Sequence, residues 1–156
     1  MEPSAPTLVL GIGNILLRDE GVGVRLIEEM RQRPVPEGVE LFDGGTFGID
    51  LMDTIASRRK VIVVDAVDAE GKPGTIFKFG GQDLAARGDA SLSLHDVGLL
   101  ETLLMARQLG CEPKEVVIFG IKPKTIRPGL KLSREVAAAV PKVVELVMEE
   151  LRRGAE

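Results

Sequence analysis

Short apolar runs alternate with amphipathic segments along most of this chain. The runs predict strands at Thr7–Gly11, Val39–Phe42, Val61–Ala66, Thr75–Phe79 and Val116–Ile121. Val61–Ala66 is β-branched and nearly unbroken, which is typical of a central parallel strand covered on both faces. The turn after it is too short for a helical crossover, so Thr75–Phe79 is predicted to be an antiparallel edge strand.

Four helices are predicted between these strands, at Gly21–Arg33, Ile49–Ser57, from Ser93 to about Leu109, and Ser133–Arg153. Pro141 interrupts the last of them. We favour a short turn followed by a helix with Pro141 at its first position, over a kinked helix. The polar stretch Gly80–Leu94 is predicted to be a long loop.

The order of these elements predicts an α/β domain. We expect a three-layer α-β-α sandwich whose five-stranded, twisted sheet is mostly parallel, with one antiparallel edge strand. Helices would then cover both faces of the sheet, as the two-sided apolar pattern of Val61–Ala66 requires.

Acidic and imidazole side chains fall where the predicted strands end. Glu20 follows the first strand, Asp43 closes the second, Asp65 ends the third, and the only histidine, His95, begins a later helix. In open α/β sheets the ligand crevice lies beyond the carboxyl ends of the strands. We therefore predict a three-ligand metal site of Glu20, Asp65 and His95 with open positions, suited to Zn or Ni.

Structural roles are the alternative for each of these residues. His95 could be a surface residue or a hydrogen-bonded one, and Asp65 could cap a helix. Glu20 could be an acid favoured by a helix N-terminus, and Asp43, before two glycines, could form a turn. Only their convergence on one sheet edge favours a shared site.

Other chemistry is poorly supported by the sequence. Gly11 and Gly13 fit a dinucleotide fingerprint, but Leu16 stands where it needs a third glycine. No G-x-S-x-G nucleophile elbow occurs. Cys111 lies on the amino side of the last strand, away from the predicted crevice.

Composition excludes several classes of protein. The 156 residues suit one domain. With 3% aromatic residues and net charge −4, the chain lacks the stacking groups and the basic stripe of nucleic-acid binders. The basic run Arg58-Arg59-Lys60 is interpreted as a solvated loop.

The cysteine count and the apolar pattern also indicate the cellular compartment. One cysteine excludes an internal disulfide and fits a reducing cytoplasm. Met1–Pro6 is too short and polar for a signal peptide. No apolar run approaches the roughly 20 residues that cross a bilayer.

Four motifs in order resemble the nickel–iron hydrogenase maturation endopeptidases. They are G-x-G-N-x-L-x-x-D-E-x-x-G at Gly11–Gly23, D-G-G-T at Asp43–Thr46, Val64-Asp65-Ala66, and S-x-H-x-x-G-L at Ser93–Leu99. The resemblance extends from about Thr7 to Leu151. It implies a single domain over residues 1–156, with 1–6 as a short N-terminal extension.

The resemblance also implies a cytoplasmic, aspartic-type endopeptidase that removes the C-terminal extension of a nickel-loaded hydrogenase large-subunit precursor. Glu20, Asp65 and His95 would hold metal and serve in catalysis, reading the substrate's nickel, with Asp43 as a further catalytic candidate. The substrate-binding residues would be Gly44, Gly45 and Thr46.

No permanent cofactor is expected, although Zn or Cd could occupy the site in place of substrate-borne nickel. The expected partner is the precursor, without nucleic acid or membrane, and the protein is expected to be a monomer. The alternatives are a stand-alone metallohydrolase acting on small peptides and a non-catalytic nickel-binding module.

Overall fold

Strands and helices alternate in the computed structural model, which describes residues 5–45, 51–80, 92–94 and 97–154. The strands are β1 (Thr7–Ile12), β2 (Val39–Gly45), β3 (Lys60–Ala69), β4 (Ile76–Gly80), β5 (Leu92–Leu94) and β6 (Glu115–Ile121). The helices are α1 (Val22–Met30), α2 (Met52–Ile55), α3 (Val97–Gln108) and α4 (Arg134–Gly154). A 3₁₀ turn, Arg18–Gly21, leads directly into α1.

The sheet has the strand order β2-β1-β3-β6-β4. Pairing is parallel from β2 to β6, and β4 is antiparallel to β6 at the edge. Among the described residues, this path of five strands confirms the predicted five-stranded, mostly parallel sheet with one antiparallel edge strand, and β5 pairs with β3 off the path.

β5 is a finding that the sequence pattern did not predict, because Gly80–Leu94 was expected to be a loop. Leu92–Leu94 pairs antiparallel with Val67–Ala69 at the end of β3. The pairing of β3 with β6 ends at Ala66, and β5 provides the strand pairing of the three residues that follow. Backbone N–H and C=O groups at the end of β3 thereby gain hydrogen-bond partners.

Apolar side chains alternate between the two faces of the sheet and build two cores. Val9, Ile62 and Phe119 pack with α1 and α4 on one face. Leu10, Val63 and Ile118 pack on the other face with residues of α2 and α3. The three-layer α-β-α arrangement is confirmed, and it holds β3 buried on both sides.

Helix α4 runs unbroken through Pro141, so the prediction of a new helix starting at that proline is wrong. Proline inside a helix removes a hydrogen bond and costs about 3 kcal/mol. The apolar face of α4 continues on both sides of it, with Val136 before and Val143, Val147 and Leu151 after, all buried against the sheet. This packing offsets the local cost, and Pro141 itself faces outward.

The interpretation of Arg58-Arg59-Lys60 as a solvated loop is wrong for its outer two residues. Arg58 is 3% exposed, and its guanidinium donates to the carbonyls of Thr54 and Ala5 and to Glu40 Oε1, at 2.8, 2.7 and 3.0 Å. Two of these partners, Ala5 and Glu40, are distant from Arg58 along the chain, so a local sequence pattern could not reveal them.

Lys60 is buried at the amino end of β3 within an ion cluster. Its Nζ lies 2.8 Å from Glu150 Oε2 and 3.5 Å from Glu115 Oε1. Glu150 also pairs with Lys78 and lies 3.6 Å from Arg153. The cluster joins α4 to three strands at the edge opposite the predicted crevice.

Glycines allow the 3₁₀ turn and α1 to lie directly on the sheet. A Cβ on Gly23 would stand 2.2 Å from the Val64 carbonyl oxygen, and one on Gly11 would stand 2.2 Å from the Gly23 carbonyl oxygen. Gly13 has φ +136°, and a Cβ there would stand 1.9 Å from the carbonyl oxygen of Glu20. Larger residues at these positions would push the segment carrying Glu20 off the strand ends.

The Asp19 carboxylate joins this turn to the loop between β6 and α4. Its Oδ2 accepts hydrogen bonds from the backbone N–H groups of Lys124 and Thr125 and from the Ser133 hydroxyl, at 2.9, 3.1 and 2.8 Å. Its Oδ1 accepts the Ser133 N–H at 2.7 Å. Asp19 is fully buried, so these bonds compensate its charge.

Replacing Asp19→Ala should destabilise the fold by about 3 kcal/mol, because three partly buried backbone donors and the Ser133 hydroxyl lose the buried carboxylate that accepts from them. Chemical denaturation of purified protein would measure this change. Asp68→Ala is the matched control, since that carboxylate is 85% exposed, and it should change stability by less than about 0.5 kcal/mol. Equal effects of the two substitutions would contradict the role given to Asp19.

Glu150 should make stability depend on acidity. Burial raises the pKa of its carboxyl, but hydrogen bonds from Lys60 and Lys78 outweigh burial and leave the pKa below the ordinary 4.5. A lowered folded-state pKa stabilises the protein above pH 4.5 and loses that contribution as the pH falls through the folded value.

The difference in unfolding free energy between wild type and Glu150→Gln should therefore shrink as the pH falls below 4.5. Urea titrations over a series of pH values would measure it. Glu145→Gln, at a side chain 69% exposed, should show no such trend. A pH-independent difference for Glu150→Gln would argue against the ion cluster.

Candidate active site

Two predicted ligands, Glu20 and Asp65, are buried at the carboxyl edge of the central strands. Glu20 is 3% exposed and Asp65 is fully buried. Glu20 lies in the 3₁₀ turn that packs on Gly13 just after β1 and that contacts β3. β1 and β3 are in register at Gly11 and Val64, so Asp65 follows directly at the same edge.

Glu20 and Asp65 are both carboxylates that the fold removes from water. Carboxylates removed from water are costly unless hydrogen bonds or a cation compensate them. Carboxylate oxygens are also among the ligands that divalent cations take. Within the described ranges, no three His, Cys, Asp or Glu side chains come together as a metal site.

The third predicted ligand, His95, lies outside the described residues. It follows Leu94 in the sequence, and Leu94 of β5 pairs with Val67, two residues beyond Asp65. The structure therefore describes two of the three predicted ligands, and the metal-binding role of the set stays a prediction.

Asp43 lies at the end of β2 with an exposed side chain. Its Oδ1 accepts the N–H of Gly45 at 2.9 Å, which is the turn-forming role weighed for it from sequence. Pairing with β1 shifts here, with Asp43 opposite Gly11 and Gly45 opposite Ile12. Asp43 thus shapes the strand end, and its catalytic role stays a prediction.

The two glycines after Asp43 join this strand end to β1. A Cβ on Gly44 would stand 3.0 Å from Leu10 Cδ1, and Gly45 has φ +52°. The Gly45 carbonyl accepts the N–H of Gly13 at 2.8 Å. The next predicted substrate-binding residue, Thr46, lies outside the described residues.

Asp19 precedes Glu20 in the G-x-G-N-x-L-x-x-D-E-x-x-G motif, and the sequence did not reveal that its role differs from that of Glu20. The partners of the Asp19 carboxylate are 105 to 114 residues away along the chain. The one sequence signal for this role of Asp19 is a pair of adjacent acidic residues shortly after a glycine-rich strand end. In the structure, Asp19 binds the loop between β6 and α4, and Glu20 lies at the carboxyl ends of the strands.

No helix in the part of the chain that the structure describes is long and apolar enough to cross a membrane.

Known proteins that resemble this chain are hydrogenase maturation proteases. The hydrogenase maturation protease family matches residues 24–150. The hydrogenase 2 maturation protease of Escherichia coli (strain K12) is 37% identical over 149 residues, which cover 94% of this chain and 91% of that protein. A putative hydrogenase maturation protease of Methanocaldococcus jannaschii is 34% identical over 153 residues, covering 94% and 96%.

Solved structures show the same fold. The hydrogenase maturating endopeptidase HybD from Escherichia coli superposes with a TM-score of 0.87 at 37% identity, covering 95% of this chain and 93% of that one. The [NiFe] hydrogenase maturation protease HybD from Thermococcus kodakarensis gives a TM-score of 0.78 at 27% identity, covering 93% and 98%.

These matches span most of the chain in both sequence and structure, and they confirm the resemblance that the four motifs indicated. The chain therefore belongs to the hydrogenase maturation protease family, and it is a hydrogenase maturation endopeptidase.

Proposed function

We propose that this endopeptidase removes the C-terminal extension of a nickel-loaded hydrogenase large-subunit precursor. The observation that supports the proposal most is the burial of Glu20 and Asp65 at one edge of the sheet. Two buried carboxylates from different elements suit a cation that arrives with its own remaining ligands. In this proposal the cation is the nickel of the substrate.

Recognition would use the open positions of the site. Glu20 and Asp65 offer oxygen donors and His95 a nitrogen donor, a mixture that nickel accepts. Nickel already held by the precursor would bridge enzyme and substrate, whereas a metal-free precursor would lack the bridge. The enzyme then needs no permanent cofactor, and Zn or Cd can take the same ligands.

Cleavage of the peptide bond requires a polarised carbonyl and an activated water. Asp43 lies beside the same edge with an exposed carboxylate, where it could accept a proton from that water. In this proposal Gly44 and Gly45 shape the backbone of the substrate-binding segment, Gly44 by packing on Leu10 and Gly45 by its φ of +52°. Thr46 completes this substrate-binding segment in the proposal.

The setting of the reaction is part of the same proposal. We also propose that the enzyme acts in the cytoplasm, which its single cysteine fits, and that it acts as a monomer on one protein substrate. Nucleic acid and membrane have no part in this reaction.

Nickel recognition predicts that Glu20→Gln, Asp65→Asn and His95→Ala each lower kcat/KM on nickel-loaded precursor about 100-fold or more. The first two substitutions keep side-chain shape and remove the ligand charge. Mass spectrometry of the large subunit, purified after incubation or co-expression, would score loss of the C-terminal extension.

The matched control is Asp68→Asn, which changes an exposed carboxylate three residues beyond Asp65 and should leave processing unchanged. Wild-type enzyme should process nickel-loaded precursor and leave the metal-free form intact. Equal cleavage of both forms would overturn nickel recognition. A stoichiometric metal that survives dialysis, with turnover of short peptides, would favour a stand-alone metallohydrolase instead.

Asp43→Asn separates catalysis from turn formation. Asparagine can still accept the Gly45 N–H and keep the turn, but it cannot act as a base. If Asp43 is the general base, kcat should fall about 100-fold or more while KM changes little. Unchanged kcat would leave Asp43 with the turn alone, and loss of cleavage with binding retained would exclude a non-catalytic nickel-binding module.

A further inference from the structure

The loop between β6 and α4 is strongly basic although the whole chain is acidic. Residues 122–133 contain four basic residues and no acidic one, in a chain whose net charge is −4. They are Lys122, Lys124, Arg127 and Lys131. The loop starts at the carboxyl end of β6 and so borders the edge that holds Asp65, which pairs with Gly120.

Two of these cations are available to a partner. Lys122 lies 3.6 Å from Asp68, and Lys124 lies 2.8 Å from Glu135. The hydrogen bond from Lys124 lowers the pKa of the Glu135 carboxyl, which is consistent with a formed pair. Arg127 and Lys131 are exposed, and no acidic group among the described residues pairs with them.

Large apolar side chains are exposed beside these two cations. Ile126 is 50% exposed and Leu130 is 60% exposed, and Leu16, at 59%, joins them from the segment after β1. The N–H of Gly129 donates to the Leu16 carbonyl at 2.9 Å, which brings the two segments together. We refer to Leu16, Ile126, Arg127, Leu130 and Lys131 as the basic-apolar surface.

This surface is held firmly beside the site. Arg18 N–H donates to Gly129 and Asp19 N–H donates to Thr125, at 3.0 and 3.2 Å, in addition to the bonds that the Asp19 carboxylate accepts. Arg25 Nη2 donates to the Leu130 carbonyl at 3.1 Å. A preorganised surface loses little conformational entropy on binding.

We infer that the basic-apolar surface binds an acidic segment of the large-subunit precursor that also carries apolar side chains, in addition to the contacts at the cleavage site. The inference rests on the proposed function. Exposed apolar side chains flanked by charge are typical of a protein interface. Two available cations are few for nucleic acid, where affinity depends on many phosphate contacts.

The test is kinetic and uses nickel-loaded precursor as substrate. Charge reversal by Arg127→Glu with Lys131→Glu should raise KM about 10-fold or more and leave kcat within about two-fold, because the changes affect association and not the cleavage site. The wild-type KM should rise with salt, and the double variant should lose most of that dependence. Leu130→Ser should raise KM without altering the salt dependence.

Arg31→Glu with Arg59→Glu is the matched control. It makes the same change in net charge at two exposed arginines, one after α1 and one before β3, at the amino edge of the sheet. This variant should keep the wild-type KM. An equal rise in KM for both double variants would attribute the effect to net charge and overturn the inference.

Direct binding separates this inference from the proposed function. Calorimetric titration of the enzyme with precursor should show weaker binding for Arg127→Glu with Lys131→Glu. Unchanged KM and unchanged binding affinity in that variant would refute the role of the basic-apolar surface and would leave the proposal of nickel-dependent cleavage unaffected. If the wild-type enzyme binds precursor through these residues but does not cleave the nickel-loaded form, the proposed function is refuted and the binding role of the surface is retained.

Dimerisation that depends on protein concentration and is lost in the variant would instead show that the surface serves self-association, and it would overturn the inference.

Discussion

The buried carboxylate of Asp19 is the contact on which the carboxyl edge of this protein depends. It accepts hydrogen bonds from Lys124, Thr125 and Ser133, and so it joins the turn after β1 to the loop after β6. The turn carries Glu20 and the loop carries the basic-apolar surface. One compensated charge therefore fixes two regions that we assign to substrate recognition.

Close packing of backbone on backbone makes this arrangement possible. Gly23 brings α1 against the Val64 carbonyl, and Gly13 allows the Glu20 carbonyl to lie over the exit of β1. The glycine-rich motif thus serves packing at these positions, whereas in dinucleotide-binding folds such glycines admit a pyrophosphate. Two adjacent acids then take different roles, because Asp19 accepts hydrogen bonds from distant backbone and Glu20 lies at the edge of the sheet that also holds Asp65.

The amino edge of the sheet carries an ion cluster that stabilises the fold, and the carboxyl edge carries the candidate active site. At the amino edge, the buried side chains of Lys60 and Glu150 form an ion cluster with the half-exposed Lys78, and this cluster attaches the last helix to the strands. At the carboxyl edge, Glu20 and Asp65 are buried as well, but the fold gathers them where strands end and loops can admit a substrate. Burial of charge is costly at both edges, and only one edge is where parallel α/β sheets place their ligands.

The sequence by itself determined the fold class, the parallel sheet with its antiparallel edge strand, and the family, because apolar periodicity and ordered motifs are local properties. It also placed Glu20 and Asp65 at one edge, since the strand-end rule needs only strand assignments. Tertiary structure alone decided the remaining features. The pairing of Leu92–Leu94 with β3, the burial of Arg58 and Lys60, the unbroken helix through Pro141 and the partners of Asp19 all depend on groups distant along the chain. No local pattern encodes such contacts, because their free energy comes from packing and hydrogen bonds that exist only once the chain has folded.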